Sequence, residues 1–452
     1  MTRSDLVLRS IDTNQQPLQE ASSTQKVTKV VDDFADVLCA PTYTSDSGSD
    51  DESTASSESS ASEEEQQRMD FATVCSFRVA EDLDGDLEEL GIMEWSLDDF
   101  VYERHLGSGG SAEAVVVARE CQSKHAVALK IQKLAAGHHG SEDNDAVREL
   151  DIHEPLKHPC IVEMIDYFYT DRIFDQIKID NEDEAENTDS EYVVMILELC
   201  NGGDMFDVAQ NVHEENEENC FQNGVVACLG FPEQRAAKYF YDAVQALEYL
   251  HEKHEIIHCD IKSQNFLVHN DPASGESTLK LADFGMAVRY DERELVGGSP
   301  IYMAPEHLLA WRHLTSDFDY KSDIYSLGVV LYEILVGYLP YEVIENKTNN
   351  SGIEEDLELD KAFEKLTVAS EEEESLGSGS GLGLPILDLR KLDDTTSDEP
   401  FYVPPPIFPD FVSADARDLI SRLMEPEPTT RLSLCQVREH PWLKRHVKKT
   451  EH

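Results

Sequence analysis

Apolar positions along the chain follow two rhythms. Short runs rich in β-branched residues stand at 114–118, 126–131, 161–167 and 192–197, with patterned sequence beginning near 95–102. Runs of this length and composition predict strands of one antiparallel sheet. Segment 145–156 has helical character and predicts a single helix beside that sheet. From Glu233 onward the rhythm changes: Ala236, Phe240, Val244, Leu247 and Leu250 lie three or four residues apart, the spacing of one helix face. Together these patterns predict an α+β molecule, with a small antiparallel-sheet lobe carrying one main helix and a larger, mostly helical lobe.

Before and between these elements the chain is polar. Residues 45–65 are serine and acids apart from Gly48, Thr54, Ala55 and Ala61. Such a segment cannot bury a core, so 1–97 is expected to be an acidic, Ser-rich disordered tail, either a solvated appendage or a phosphorylatable regulatory one. Three further stretches, 175–191, 210–230 and 343–399, are acidic or rich in Gly, Ser and Asn and read as surface insertions that add charge but no core. The folded domain is expected over 98–446, its sheet lobe over about 98–200 and its helical lobe over about 201–446.

Charge narrows the function further. The 92 acids against 37 lysines and arginines give a net charge of −55. That argues against nucleic acid and anionic membranes as main partners and favours basic proteins or peptides. The longest apolar stretch, 327–335, is interrupted by Tyr332 and Glu333, and no apolar export signal opens the chain, so no membrane span is expected. Nine cysteines without close pairing point to a reducing compartment, hence an intracellular protein of cytoplasm and/or nucleus. Oligomeric state is left open.

Candidate chemistry begins at 106–115, Leu-Gly-Ser-Gly-Gly-Ser-Ala-Glu-Ala-Val, between two expected strands. Glycines let a backbone approach a phosphate closely, although a plain hairpin carries the same signature. Lys130 ends the apolar run Val-Ala-Leu-Lys at 127–130. Ile-His-Cys-Asp-Ile-Lys-Ser-Gln-Asn at 257–265, Asp-Phe-Gly at 283–285 and Ala-Pro-Glu at 304–306 follow in order. This ordered set resembles the eukaryotic protein kinase family, serine/threonine type. The resemblance covers about 100 to 443 without the insertions.

It implies the bilobal protein kinase fold and transfer of the γ-phosphate of ATP, with Mg²⁺, to serine and threonine hydroxyls of protein substrates. By resemblance Lys130 contacts the α- and β-phosphates and pairs with Glu149, Asp260 is the catalytic base, and Lys262 stabilises the moving phosphoryl group. Asp283 and Asn265 would hold Mg²⁺ through hard oxygen ligands. Leu106, Gly107, Ser108, Gly109 and Gly110 match the phosphate loop. Val115, Ala128 and Leu267 would enclose adenine, with Leu197 behind it, the backbone of Glu198 to Cys200 along its edge, and Asp204 at the ribose. Asp323 would brace the catalytic loop, and Arg431 would pair with Glu306. Lys262, together with Gly-Ser-Pro-Ile-Tyr-Met-Ala-Pro-Glu at 298–306, where Ser299 takes the usual threonine position, selects serine/threonine acceptors. Asp204 and Glu333 match acids that read basic residues upstream of the acceptor, which suggests basic recognition motifs and a leaning to the calcium/calmodulin-dependent kinase-like group.

The chain also departs from the family pattern. Its glycine loop is one residue longer, with Ala112 or Glu113 replacing the third glycine. Cys259 stands where an arginine usually receives an activation-loop phosphate, Leu295 occupies the usual phosphosite, and Tyr290 is the single hydroxyl residue between 286 and 298. The two absences agree, and predict an enzyme that does not need that phosphate. His153, four residues after Glu149, takes the place of an apolar contact between helix and core. An alternative from another class is a catalytically idle pseudokinase acting as a scaffold or binding module; the presence of Lys130, Asp260, Asn265 and Asp283 opposes it.

Overall fold

The computed structural model describes residues 71, 75, 94–109, 112–134, 144–177, 190–223, 230–292, 297–312, 314, 318–344, 384–393 and 401–447. Strands β1 (Phe100–Gly109), β2 (Ala112–Glu120), β3 (Ala126–Lys133), β4 (Met164–Thr170) and β5 (Tyr192–Glu198) form one antiparallel sheet in the order β1-β2-β3-β5-β4. Its register sets Val115 opposite Lys130 and Ala128 opposite Leu197. Strand β4 begins at Met164, later than the pattern at 161–167 suggests. Ile161 bridges Leu281 instead, and the N–H of Val162 donates to Leu281 O, tying the sheet lobe to the lobe below.

Helix α1 (Asp145–His153) starts at Asn144, whose side chain accepts from the N–H of Ala146. It stops short of the expected 156 because Pro155 has no amide to donate, so the helical bonding ends with the N–H of Glu154 on Leu150 O. Ala146 and Leu150 pack on Leu134, Met164, Val193 and Met195, which covers one face of the sheet.

The opposite face is covered from outside the expected domain. Phe71, Trp95 and Leu97 are buried with Phe100, Val116, Leu129 and Phe168. Phe71 stacks on His125 with centroids 4.5 Å apart, and Trp95 Nε1 donates to Asp166 at 2.8 Å. The boundary at 97 is therefore a boundary in composition and not in packing. Apart from Phe71 and Cys75, residues 1–93 lie outside the described residues.

In the second lobe, α2 (Met205–Asn223), α3 (Glu233–Tyr249), α4 (Pro305–Trp311) and α5 (Lys321–Val336) surround the ribbons β6 (Ile256–Ile257) with β9 (Val288–Arg289) and β7 (Phe266–Asn270) with β8 (Ser277–Leu281). Every residue from Ser322 to Val336 is buried, as befits a central helix apolar on all sides. Two expected insertions carry structure. The stretch 210–230 continues α2 as far as Asn223. Within 343–399, β11 (Ile386–Asp388) returns parallel to β10 (Glu342–Ile344), and Leu387, Leu389 and Leu392 are buried. These three leucines add to the main core, contrary to the expectation of charge alone. Residues 178–189, 224–229, 345–383 and 394–399 of the expected insertions lie outside the described residues. Among the described residues, no helix is long and apolar enough to cross a membrane.

Candidate active site

Lys130 is a buried cation, and a buried cation needs anionic partners. It has two: its Nζ lies 2.6 Å from Glu149 Oε1 and 2.8 Å from Asp283 Oδ1. Glu149 comes from α1, Lys130 from β3, and Asp283 from the segment after β8. Desolvation works to lower the ammonium's pKa, but the two carboxylates win and hold it above its ordinary value. Desolvation likewise pushes the Asp283 carboxyl up, and Lys130 outweighs it, bringing the carboxyl down to about 2. Gln132 donates to the second oxygen of Glu149 at 2.8 Å. Sequence reasoning missed it, although a strand puts residues two apart on one face, so Gln132 had to share the side of Lys130.

A second cluster hangs from Asp323 in α5. Its Oδ2 accepts from the N–H of His258 at 2.9 Å and meets His251 Nε2 at 2.8 Å, while Oδ1 accepts from the N–H of Cys259 at 3.0 Å. These bonds hold Cys259 at φ 65, a left-handed conformation that a non-glycine residue adopts only under constraint. The turn presents Asp260, whose Oδ2 accepts from Asn265 Nδ2 at 3.0 Å and pairs with Lys262 Nζ at 2.9 Å. Its Oδ1 accepts from the N–H of Ser299 at 2.9 Å, and Lys262 Nζ also donates to Ser299 Oγ at 3.0 Å. Gly298 makes that approach possible: its φ is 123, and a Cβ there would stand 2.3 Å from Cys259 O.

The remaining expected site residues are spread over both lobes. Val115, Leu197 and Leu267 are half-buried and Ala128 is buried. Gly107 faces Val115, and Gly109 faces Ala112 in a stretch of β1 and β2 with register shifts, the means by which an extra residue is absorbed. Leu106 and Ser108 are exposed, and Gly110 lies outside the described residues. Glu198 turns its side chain to Lys280 at 2.7 Å, and burial pushes the Cys200 thiol up to about 12. Asp204 accepts from the N–H of Asp207 at 2.8 Å, capping the first turn of α2, and burial raises its carboxyl. Arg431 holds Glu306 in a bidentate pair at 2.6 and 3.0 Å and spends further donors on the carbonyls of Lys321, Glu425 and Pro426. Glu333 is buried and accepts from Tyr302 Oη at 3.0 Å, and Tyr302 Oη lies 3.2 Å from Ser263 Oγ. This places Glu333 in an internal network.

A model of the protein kinase domain matches residues 100–443. The chain belongs to that family. It is 30% identical over 350 residues to the serine/threonine-protein kinase Aurora-1 of Arabidopsis thaliana, spanning 77% of this chain and 87% of that protein. The kinase Aurora-2 of the same plant matches at the same identity over 77% of this chain and 91% of its own length. The human serine/threonine-protein kinase ULK3 is 27% identical over 350 residues, 77% of this chain and 55% of its own length. This chain is accordingly a serine/threonine protein kinase, with the bilobal kinase fold. Nothing favours the idle scaffold. The leaning to the calcium/calmodulin-dependent group is corrected by these relatives, which are Aurora and ULK3 kinases.

The family implies ATP and, typically, Mg²⁺. The donor set fits a hard cation: Asp283 offers a carboxylate, and Asn265 Nδ2 donates to the backbone oxygen and the carboxylate of Asp260, which leaves its other end, the amide oxygen, for a ligand.

Proposed function

We propose that the cleft between sheet and helical lobe is the phosphoryl-transfer site, with ATP as donor and a protein serine or threonine hydroxyl as acceptor. The convergence of Lys130, Glu149 and Asp283 above with Asp260, Lys262 and Asn265 below carries this reading. Lys130, kept charged and oriented by Glu149 and Gln132, binds the α- and β-phosphates. Asp283 and Asn265 hold Mg²⁺, which when bound neutralises phosphate charge. Asp260, its rotamer fixed by Asn265 and the Ser299 N–H, orients the acceptor hydroxyl and takes its proton. Lys262 moves between Asp260 and the transferring group as a positive partner for developing charge. Val115, Ala128, Leu197 and Leu267 give adenine an apolar slot, with the backbone of Glu198 to Cys200 at its edge and Asp204 at the ribose. Glycines 107, 109 and 110, with Leu106 and Ser108, cover the phosphates.

A basic stretch upstream of the acceptor is the finer part of the reading. Its support is the net charge of −55 and Asp204 beside exposed Asp207, since the Glu333 carboxylate is committed to Tyr302. The protein is assigned to the cell interior, cytoplasm and/or nucleus, on nine cysteines that show no close pairing along the sequence. Phosphorylation of arginine-rich and acidic serine peptides by the full chain tests both parts. Preference for the arginine-rich peptide, reduced in Asp204→Asn, is expected; equal use of both peptides removes the basic motif and leaves the transfer chemistry standing.

A further inference from the structure

A chain with 92 acids against 37 lysines and arginines leaves few places where a surface cation stands without an acid beside it. One lies where α3 begins. A cavity of about 500 Å³ opens there, lined by Pro232, Arg235, Lys238 and Tyr241 and by His446 and Val447 at the end of a short helix, Pro441–His446. Arg235 and Lys238 are exposed, and their spacing of three puts them on one side of α3. Aromatic rings hold both: the Arg235 guanidinium lies 4.5 Å from the Phe231 centroid and 5.7 Å from that of Tyr239, and Lys238 Nζ lies 5.5 Å from the Tyr239 centroid. Among the described residues no carboxylate pairs with Arg235, and Lys238 reaches Asp242 only at 3.9 Å. The acids nearby are committed. Glu233 accepts from the N–H and Oγ of Ser413 and from Trp442 Nε1, and meets His446 Nε2 at 3.3 Å. Asp242 accepts from the N–H of Leu279 at 3.0 Å. Lys444 and Arg445, beside His446, already pair with Glu439 and Asp415.

We propose that this cavity docks an acidic segment of a partner protein: an aromatic or aliphatic side chain of the segment enters beside Pro232, Tyr241 and Val447, and flanking carboxylates pair with Arg235 and Lys238. A ring face orients a cation without using its N–H donors, so the guanidinium keeps its fork for a carboxylate and loses little freedom when one arrives. Charge decides the class of partner. At a net charge of −55 most of this surface repels an acidic segment. Screening over a Debye length of about 8 Å at physiological salt leaves the nearest charges in control, and here those are Arg235 and Lys238. The volume lies within the roughly 300–1,000 Å³ of cavities that enclose small ligands, enough for one large side chain. None of the lining residues belongs to the proposed transfer site, so docking is separable from phosphoryl transfer by mutation.

The experiment measures fluorescence anisotropy of two short labelled peptides with the full chain: glutamates around a central phenylalanine, and the same peptide with alanine in its place. The chains compared are wild type, the double variant Arg235→Glu with Lys238→Glu, and Lys238→Glu alone, which keeps the contact of Arg235 with Phe231 should the double variant unfold. Wild type is expected to bind the phenylalanine peptide about tenfold more tightly than the alanine peptide. The double variant is expected to lose about tenfold or more and the single variant part of that, with phosphorylation of a serine peptide unchanged. Equal binding of the two peptides overturns the inference, as does equal binding by wild type and the folded variants, or no binding at about 1 mM peptide. A wild-type dimer in sedimentation that the charge reversals abolish also overturns it, and gives the cavity to acidic segments of a second copy.

Discussion

The backbone N–H of Ser299 donates to Asp260 Oδ1 at 2.9 Å, so the segment leading to the Ala-Pro-Glu motif is held directly on the proposed base. Where a phosphate-receiving arginine is the family habit, this chain builds an apolar contact: Ile257, Cys259, Val288, Ala310 and Phe318 form one buried cluster. Activity is therefore expected to survive treatment with a protein phosphatase, measured as peptide phosphorylation before and after. Conversely, Cys259→Arg puts a cation into that cluster and is expected to lower unfolding stability by about 3 kcal/mol, read by denaturant titration.

Gln132 donates to the Glu149 carboxylate inside the protein. Removing a neutral donor from a buried charge costs about 1.5 kcal/mol, so Gln132→Ala is expected to lower kcat/KM for ATP about tenfold. Steady-state kinetics with variable ATP checks this, and a melting temperature close to wild type separates it from unfolding.

Glu333 predicts an unusual dependence on pH. Burial pushes its carboxyl from 4.5 up to about 7, the bonds from Ser263 and Tyr302 opposing only in part. Between those values the folded chain keeps a proton that the unfolded chain gives up, so this group's contribution to stability falls as pH rises through the window. The full effect is up to about 3 kcal/mol. His153 acts with the opposite sign, its contribution falling as pH drops from 6.5 toward about 4. Urea midpoints of wild type and Glu333→Gln between pH 4.5 and 7.5 isolate the first group: the variant is expected to gain on wild type steadily toward the upper end.

Phe71 is buried against Trp95 and stacked on His125 at the turn between β2 and β3. Phe71→Ala is expected to cost about 3 kcal/mol of stability, within the range for deleting a buried ring. Thermal unfolding tests it, with kcat at low temperature expected to stay near wild type because no residue of the cleft is touched.

Much of this architecture was legible from periodicity alone. Strands β2, β3 and β5 stand out because their apolar runs are short and β-branched, and α3 because its apolar positions keep one face. The residues that converge around Lys130 and Asp260 were legible as ordered motifs. What escaped depends on contacts between distant residues. Phe71, Trp95 and Leu97 are scattered apolar residues in acidic surroundings, and composition averaged over 1–97 hides them until the open sheet face is seen. Leu387, Leu389 and Leu392 are masked in the same way by their glycine- and serine-rich neighbours. Glu333 matched a surface-reading acid by its place in a motif, yet α5 is buried on every side and turns that carboxyl inward to Tyr302.

The central claim is that Asp260 serves as the base of a phosphoryl-transfer site. Its most direct test is transfer of labelled γ-phosphate from Mg·ATP to a serine peptide by the full chain and by Asp260→Asn, with ATP binding measured alongside. The account predicts transfer by the wild type, loss of about 100-fold or more in the variant, and unchanged ATP affinity, since general-base action supplies that order of rate. Equal transfer by both chains would contradict it.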